Sequence, residues 1–247
     1  MNDRLDPIET ASRSDVGYVR AENEDSFGEF DREPGEHLLV VADGMGGHQG
    51  GATASRLAVE TIGRVFAESA DVPEAMLQRA FEAANREVLE RAGRTPELLG
   101  MGTTCVALWL GPGAEGWVAH VGDSRAYRLR SGALEALTLD HTVVAEFERR
   151  GFLTAEEARV HPRRNELLRS IGVDRAIEVD LAPISIEPGD RFLLCSDGLC
   201  GVVDADAIRD ALAEAPPPTC AQQLVDLAKR AGAPDNVTVQ VACVGGA

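Results

Sequence analysis

The stretch Leu38-Leu39-Val40-Val41-Ala42-Asp43-Gly44-Met45-Gly46-Gly47-His48-Gln49-Gly50-Gly51 runs from five apolar residues into an aspartate and then into a glycine-rich turn. The apolar part has the composition of a buried strand. Five glycines fall in the nine positions from Asp43 to Gly51, which lets backbone carbonyls and amides approach a bound ion closely. An ordinary Asp-Gly turn accounts for one such glycine but not for five. The same ending recurs in Trp117-Val118-Ala119-His120-Val121-Gly122-Asp123 and in Phe192-Leu193-Leu194-Cys195-Ser196-Asp197, and Asp235-Asn236 opens the run Val237-Thr238-Val239-Gln240-Val241. The pattern points to a site assembled at strand ends. Carboxylates gathered from distant segments repel unless protons or cations compensate them, and an oxygen-rich, sulfur-free cluster suits hard cations such as Mg²⁺ or Mn²⁺.

Working outward, a polar leader reaches to about Ser12, and short strands are expected around Val16 to Val19 and Ser26 to Gly28. Between them lies the charged patch Arg20-Ala21-Glu22-Asn23-Glu24-Asp25. Apolar residues recur at helical spacing from Ala52 to Ile62, and again after Pro73 through Met76, Leu77, Ala80, Phe81, Ala84, Val88 and Leu89. Strand signals then crowd together over Thr103 to Leu110, Gly116 to Val121, Ala126 to Arg130 and Ala133 to Leu137, with connections short enough for antiparallel hairpins. A polar, helix-patterned stretch from about Thr142 to Leu168 interrupts them. Strands resume at Ile177 to Ile186 and Arg191 to Ser196, helices are expected near Asp204 to Ala213 and Cys220 to Ala231, and Val237 to Val244 is the last strand. Helices, many strands, then helices again predict a sheet-on-sheet core with helices on its outer faces.

The 247 residues carry a formal net charge of −17, which argues against nucleic acid or an anionic membrane as the main partner. Nothing divides the chain into two, so one domain over 1–247 is expected. Five cysteines, scattered and mostly within apolar runs, suit reduced core thiols. With no charged-then-apolar leader and no apolar run of membrane-spanning length, the expected compartment is the cytoplasm. The histidines His37, His48, His120, His141 and His161 show no metal-ligand spacing, and Thr103-Thr104 is most simply read as strand propensity. The Arg20 patch is by its composition an ordinary surface charge cluster, and Asp123-Ser124-Arg125 an ordinary turn.

In order along the chain, Val19-Arg20-Ala21-Glu22-Asn23-Glu24-Asp25-Ser26, Val41-Ala42-Asp43-Gly44-Met45-Gly46-Gly47-His48, Met101-Gly102-Thr103-Thr104, His120-Val121-Gly122-Asp123-Ser124-Arg125, Leu194-Cys195-Ser196-Asp197-Gly198-Leu199 and Pro234-Asp235-Asn236-Val237-Thr238 resemble the ordered motifs of the metal-dependent protein serine/threonine phosphatases of type 2C, in their bacterial stand-alone form. The resemblance covers about Ser12 to Val244. It implies an α+β fold, a four-layer αββα sandwich of two mostly antiparallel sheets flanked by helices, with two Mn²⁺ or Mg²⁺ ions at one end of the sheets.

Carried over by position, the resemblance makes Asp43 the bridge between two metals, with the Gly44 carbonyl on the first. Glu24, Asp197 and Asp235 hold the second, and Asp25 supports them. Asp123 with Asp197 resembles a third, weaker metal position. Arg20 contacts the substrate phosphate, a role that suits the bidentate fork of a guanidinium. The segment at about 142–168 resembles a mobile flap beside the site. Where animal members carry a histidine two residues after the bridging aspartate, this chain has Met45; the proton donor is therefore His48 or a water on a metal, and the sequence leaves both open.

The implied activity is hydrolysis of phosphoserine and phosphothreonine in proteins by metal-activated water, reversing a bacterial Ser/Thr kinase, with phosphorylated proteins as partners. Two other readings are a catalytically silent regulator that binds phosphoprotein and a small-molecule phosphatase. Every metal-ligand position keeps an oxygen donor, which speaks against the silent regulator.

Overall fold

A computed structural model describes residues 8–32, 35–46, 50–213 and 215–245. The strands, in chain order, are β1 (Ile8–Asp15), β2 (Asp25–Arg32), β3 (Glu36–Met45), β4 (Gly102–Thr103), β5 (Cys105–Leu110), β6 (Glu115–Val121), β7 (Arg125–Arg130), β8 (Ala133–Ala136), β9 (Asp180–Ser185), β10 (Arg191–Cys195) and β11 (Val237–Val244). The helices are α1 (Gly50–Glu68), α2 (Pro73–Arg94), α3 (Val143–Arg149), α4 (Ala155–Val160), the single turn α5 (Asp197–Cys200), α6 (Ala205–Ala213) and α7 (Pro217–Arg230). One sheet has the order β1-β11-β10-β7-β8 and the other β2-β3-β5-β6-β9, with β4 added to β3. All these pairings are antiparallel.

The continuous apolar run of β3 follows from its position between two layers. Side chains alternate across a strand, so Leu39 and Val41 enter the core between the sheets, with Val106, Leu108, Phe192, Leu194 and Ala242. Leu38, Val40 and Ala42 face the other way, into a core under α1 and α2 that includes Ile62, Phe66, Leu77 and Phe81. A third core forms where α6 and α7 cover Leu193, Val237, Val239 and Val241. Burying each large side chain contributes about 1.5–3 kcal/mol, and neither sheet face is left to water alone. The architecture is the expected sandwich of two antiparallel sheets flanked by helices.

Several local expectations are corrected. The described part of the polar leader, from Ile8 on, belongs to β1, which pairs with β11 residue by residue from Ile8 opposite Val244 to Asp15 opposite Val237. The expected strand at 16–19 is a turn instead. The short link from β6 to β7 does not make a hairpin: β6 belongs to one sheet and β7 to the other, so Gly122-Asp123-Ser124 crosses between the layers. The stretch 142–168 does carry two short helices, α3 and α4. A Thr142 N-cap starts the first, and a Thr154/Glu157 capping box starts the second.

Candidate metal centre

The register of the β2–β3 pair sets Asp25 directly opposite Asp43. Asp123 lies in the crossing after β6, Asp197 opens α5 immediately after β10, and Asp235 precedes β11. The antiparallel order turns all of these ends to one edge of the sandwich, where a cleft of about 760 Å³ is lined by Arg20, Glu24, Asp43, Gly44, Asp123, Asp197 and Asp235. Its far wall comes from Asn165, Glu166 and Leu167, with Ser170 and Val173. Asp25 stands behind Asp43 and accepts a hydrogen bond from Ser196 Oγ at 2.8 Å. His48 falls outside the described residues.

Close backbone approach explains Gly44: a Cβ there would run into the carbonyl oxygens of Gly51 and Glu24. The Gly44 amide donates to the Glu24 carbonyl at 3.2 Å, which brings the Arg20–Asp25 segment against the turn. Asn236 secures that segment from below. Its Oδ1 accepts from the Glu24 amide at 2.8 Å, and its Nδ2 donates to the carbonyls of Val16 and Glu22 at 2.9 and 3.0 Å.

Thr103 and Thr104 do more than favour a strand. Thr103 Oγ1 and the Thr104 amide both donate to the Asp43 carbonyl, at 2.7 and 2.9 Å. Thr104 Oγ1 accepts from the Asp43 amide at 3.1 Å and lies 2.7 Å from Ser124 Oγ. One side chain therefore ties Asp43 to the residue after Asp123. These positions belong to motifs visible in sequence, but their hydrogen bonds join residues about 60 apart along the chain and no local signal announces them.

The carboxyl groups are under electrostatic stress. Burial, followed by repulsion from Asp197 and Asp235, pushes Asp25 up to about 7. Burial, followed by Asp197 and Asp140, does the same for Asp123, also to about 7. Asp43 is raised well above the ordinary carboxylate range by burial and then by Asp25, Asp197, Asp123 and Asp235. Asp197 is raised by burial and Asp235, against a hydrogen bond with Asp43 and the charge of Arg20. Asp25 Oδ1 and Asp197 Oδ1 are buried without a hydrogen-bond partner, a costly state for a carboxylate. An all-oxygen donor set with buried, unpartnered oxygens fits a hard divalent cation.

Arg20 projects to the cleft mouth, and its Nη2 binds Asp235 Oδ2 at 2.7 Å. That hydrogen bond is the main reason its pKa lies above the usual value. A second ligand-type group, His120, His141 and Asp180, brings its donor atoms within 4.8 Å of one another, although the spacing of the histidines gave no sign of it. The place beside its carboxylate is taken by a cation of the chain itself, since Arg169 Nη1 bonds Asp180 Oδ1 at 2.7 Å.

The protein phosphatase 2C family model matches residues 18–231. The chain belongs to this family. It is 41% identical over 238 residues to the serine/threonine protein phosphatase PstP of Mycobacterium tuberculosis, an alignment covering 95% of this chain and 44% of PstP. The chain thus spans less than half the length of that relative. To the serine/threonine phosphatase stp of Listeria monocytogenes it is 36% identical over 233 residues, covering 92% of each. Among solved phosphatase 2C structures, the catalytic domain of PstP in complex with two manganese ions superposes with a TM-score of 0.86 at 38% identity, covering 97% of this chain and 99% of that one.

Proposed function

We propose that this chain is one phosphatase domain over 1–247 that hydrolyses phosphoserine and phosphothreonine in proteins. The observation that carries the reading is the convergence of Asp43, Asp123, Asp197 and Asp235 on one cleft with Arg20 at its mouth. Glu24, Asp43, the Gly44 carbonyl, Asp197 and Asp235, supported by Asp25, would hold two Mn²⁺ or Mg²⁺ ions, and Asp123 with Asp197 a third, weaker one. When bound, the ions would supply the acidification of water near neutral pH and the neutralisation of phosphoryl oxygens.

The chain's own groups do the rest. The Arg20 fork matches two phosphoryl oxygens, and Asn165, Glu166 and Leu167, from the proposed flap at about 142–168, wall the side where a phosphopeptide lies. His48 or a water gives the proton to the leaving alcohol; exchanging His48 for alanine separates the two, because only a histidine donor makes the loss fall chiefly on poor leaving groups. No thiol is needed. Cys105 is fully buried with its pKa raised by burial, and no cysteine is followed by arginine at the Cys-x5-Arg spacing of thiol phosphatases.

Phosphorylated proteins are the proposed partners, among them a Ser/Thr kinase and its substrates. The proposed compartment is the cytoplasm; among the described residues no helix is long and apolar enough to cross a membrane. The test is release of phosphate from p-nitrophenyl phosphate and from a phosphothreonine peptide in Mn²⁺, Mg²⁺ and excess chelator, with Asp43→Ala beside the unaltered protein. Mn²⁺-dependent peptide turnover that survives thiol alkylation and is absent in the variant supports the reading. Turnover in excess chelator overturns the metal site, and no turnover with any ion favours the phosphoprotein-binding regulator.

A further inference from the structure

The 142–168 segment leaves and re-enters the body of the protein at one residue. His141 precedes the α3 cap, its carbonyl accepts from the Leu168 amide at 2.7 Å, and the adjoining Val143 amide donates to the Glu166 carbonyl at 2.9 Å. The same residue grips the crossing that bears Asp123. The Gly122 amide donates to His141 Nδ1 at 3.1 Å, and the His141 amide donates to the Gly122 carbonyl at 3.0 Å. Both backbone groups of Gly122 are therefore used by one partner. Gly122 itself cannot be exchanged for another way of turning, since its φ is +105° and a Cβ would strike Thr104.

These bonds fix the tautomer of the ring. A backbone N–H only donates, so Nδ1 carries the lone pair and the neutral ring holds its proton on Nε2. That nitrogen lies 3.3 Å from Asp180 Oδ2. Arg169 Nη1, which bonds the other Asp180 oxygen at 2.7 Å, also comes within 3.2 Å of Nε2, but with Nδ1 accepting from Gly122 both of these nitrogens are donors and the carboxylate is what they share. The ring stacks on His120 with centroids 4.5 Å apart, and His120 Nε2 is itself anchored on the Leu139 carbonyl at 2.8 Å. Burial lowers the pKa of both rings, in keeping with neutral imidazoles. Using Nε2 as a metal ligand would require the proton to move to Nδ1 and break the Gly122 bond, so the group is built for holding rather than for ligation.

We propose that His141 is a positioning residue that locks the Asp123 crossing and the root of the 142–168 segment into one unit, so that the third metal position and the cleft wall are set together. The inference rests on the reading of Asp123 as a ligand given above. An asparagine at this position places an amide oxygen where Nδ1 accepts from Gly122, whereas a glutamine reaches the place of Nε2, beside Asp180 and Arg169, and leaves the Gly122 amide without its acceptor.

The experiment compares His141→Asn, His141→Gln and His141→Ala, each with and without Asp123→Ala, by calorimetric titration with Mn²⁺ and by amide exchange of the metal-free protein at 121–124 and 166–169. Thermal melts first establish that each variant is folded. Loss of an outer positioning group weakens metal binding by about 10–100-fold. His141→Ala and His141→Gln are expected to weaken the third, weakest Mn²⁺ on that scale and to speed exchange at Gly122, while His141→Asn stays near the unaltered protein. In the Asp123→Ala background the three variants should bind Mn²⁺ alike.

Equal behaviour of Asn and Gln overturns the proposal, and so does a His141 effect on Mn²⁺ that persists without Asp123. If the unaltered protein takes up no third Mn²⁺, the ligand reading of Asp123 falls and this inference with it. Failure of the proposed phosphatase activity would show separately, as absent peptide turnover with two ions bound.

Discussion

Arg20 Nη2 lies 2.7 Å from Asp235 Oδ2, with the two side chains 49% and 28% exposed. A group proposed to bind phosphate thus rests on a group proposed to bind metal. An ion pair this exposed contributes only about 0–1 kcal/mol, so the guanidinium is held near the cleft without being committed to the carboxylate, and a dianionic phosphoryl group can take it over.

Arg20→Ala is therefore expected to raise KM for a phosphopeptide by at least about tenfold with a smaller fall in kcat, and to shift the melting temperature little. Arg20→Lys should fall between, because it keeps the charge and loses the fork. Steady-state kinetics in saturating Mn²⁺ decide the matter; a defect confined to kcat would remove Arg20 from phosphate binding.

Asp43 is pressed by four neighbouring carboxyl groups, so its removal should separate function from stability. Asp43→Asn and Asp197→Asn are expected to lower Mn²⁺-dependent turnover by more than about 100-fold, the loss of a proposed metal ligand. Without metal, the same variants should melt at or above the temperature of the unaltered protein, since a repelled carboxylate has been neutralised. A variant that is both inactive and strongly destabilised without metal would show that Asp43 holds the fold instead.

The raised carboxyl groups also fix the sign of a pH effect. Asp25 and Asp123 are pushed up to about 7 from an unfolded value of 3.8. Between those values the unfolded chain has released protons that the folded protein retains, so stability falls as pH rises through the window and the loss is complete only above about 7. His120 and His141, whose pKa values are lowered, act in the opposite sense but only as pH falls through the unfolded histidine value near 6.5. From pH 6.5 to 8 the carboxyl groups dominate. The metal-free protein is expected to melt roughly 5 °C lower at pH 8 than at pH 6.5, and saturating Mn²⁺ should abolish or reverse the trend because ions compete with protons for the same oxygens. A metal-free protein that is more stable at pH 8 would contradict the assignment.

What the sequence discloses about this molecule is what lies within one element. The run Leu38 to Ala42 ending at Asp43 is legible because strand, carboxylate and turn are contiguous, and the helix after Pro73 because its apolar spacing is local. Strand β1 is not legible. Ile8 to Asp15 has little apolar alternation, and its pairing with β11 joins opposite ends of the chain. The crossing at Asp123 looks like a hairpin because length alone does not say which sheet receives the next strand. The props of the site were missed for the same reason: Asn236 holds the Glu24 amide across 212 residues, and His141 reaches Asp180 and Gly122 from a connecting segment.

Thr104 offers the sharpest test of those props. Its Oγ1 accepts from the Asp43 amide at 3.1 Å and meets Ser124 Oγ at 2.7 Å, and the residue is 2% exposed. Thr104→Val keeps the branched shape and strand propensity but removes the oxygen. The Asp43 amide and the Ser124 hydroxyl then lose a buried partner, a change that costs about 1–3 kcal/mol for an unsatisfied group. The expected result is a melting temperature lower by about 2–10 °C for a chain of this size, with Mn²⁺ affinity weakened by about tenfold as Asp43 and Asp123 lose their common anchor. Thr104→Ser should restore both, since it returns the hydroxyl without the methyl. If Ser and Val variants bind Mn²⁺ equally well, the hydroxyl does not position the carboxylates and Thr104 acts through packing alone.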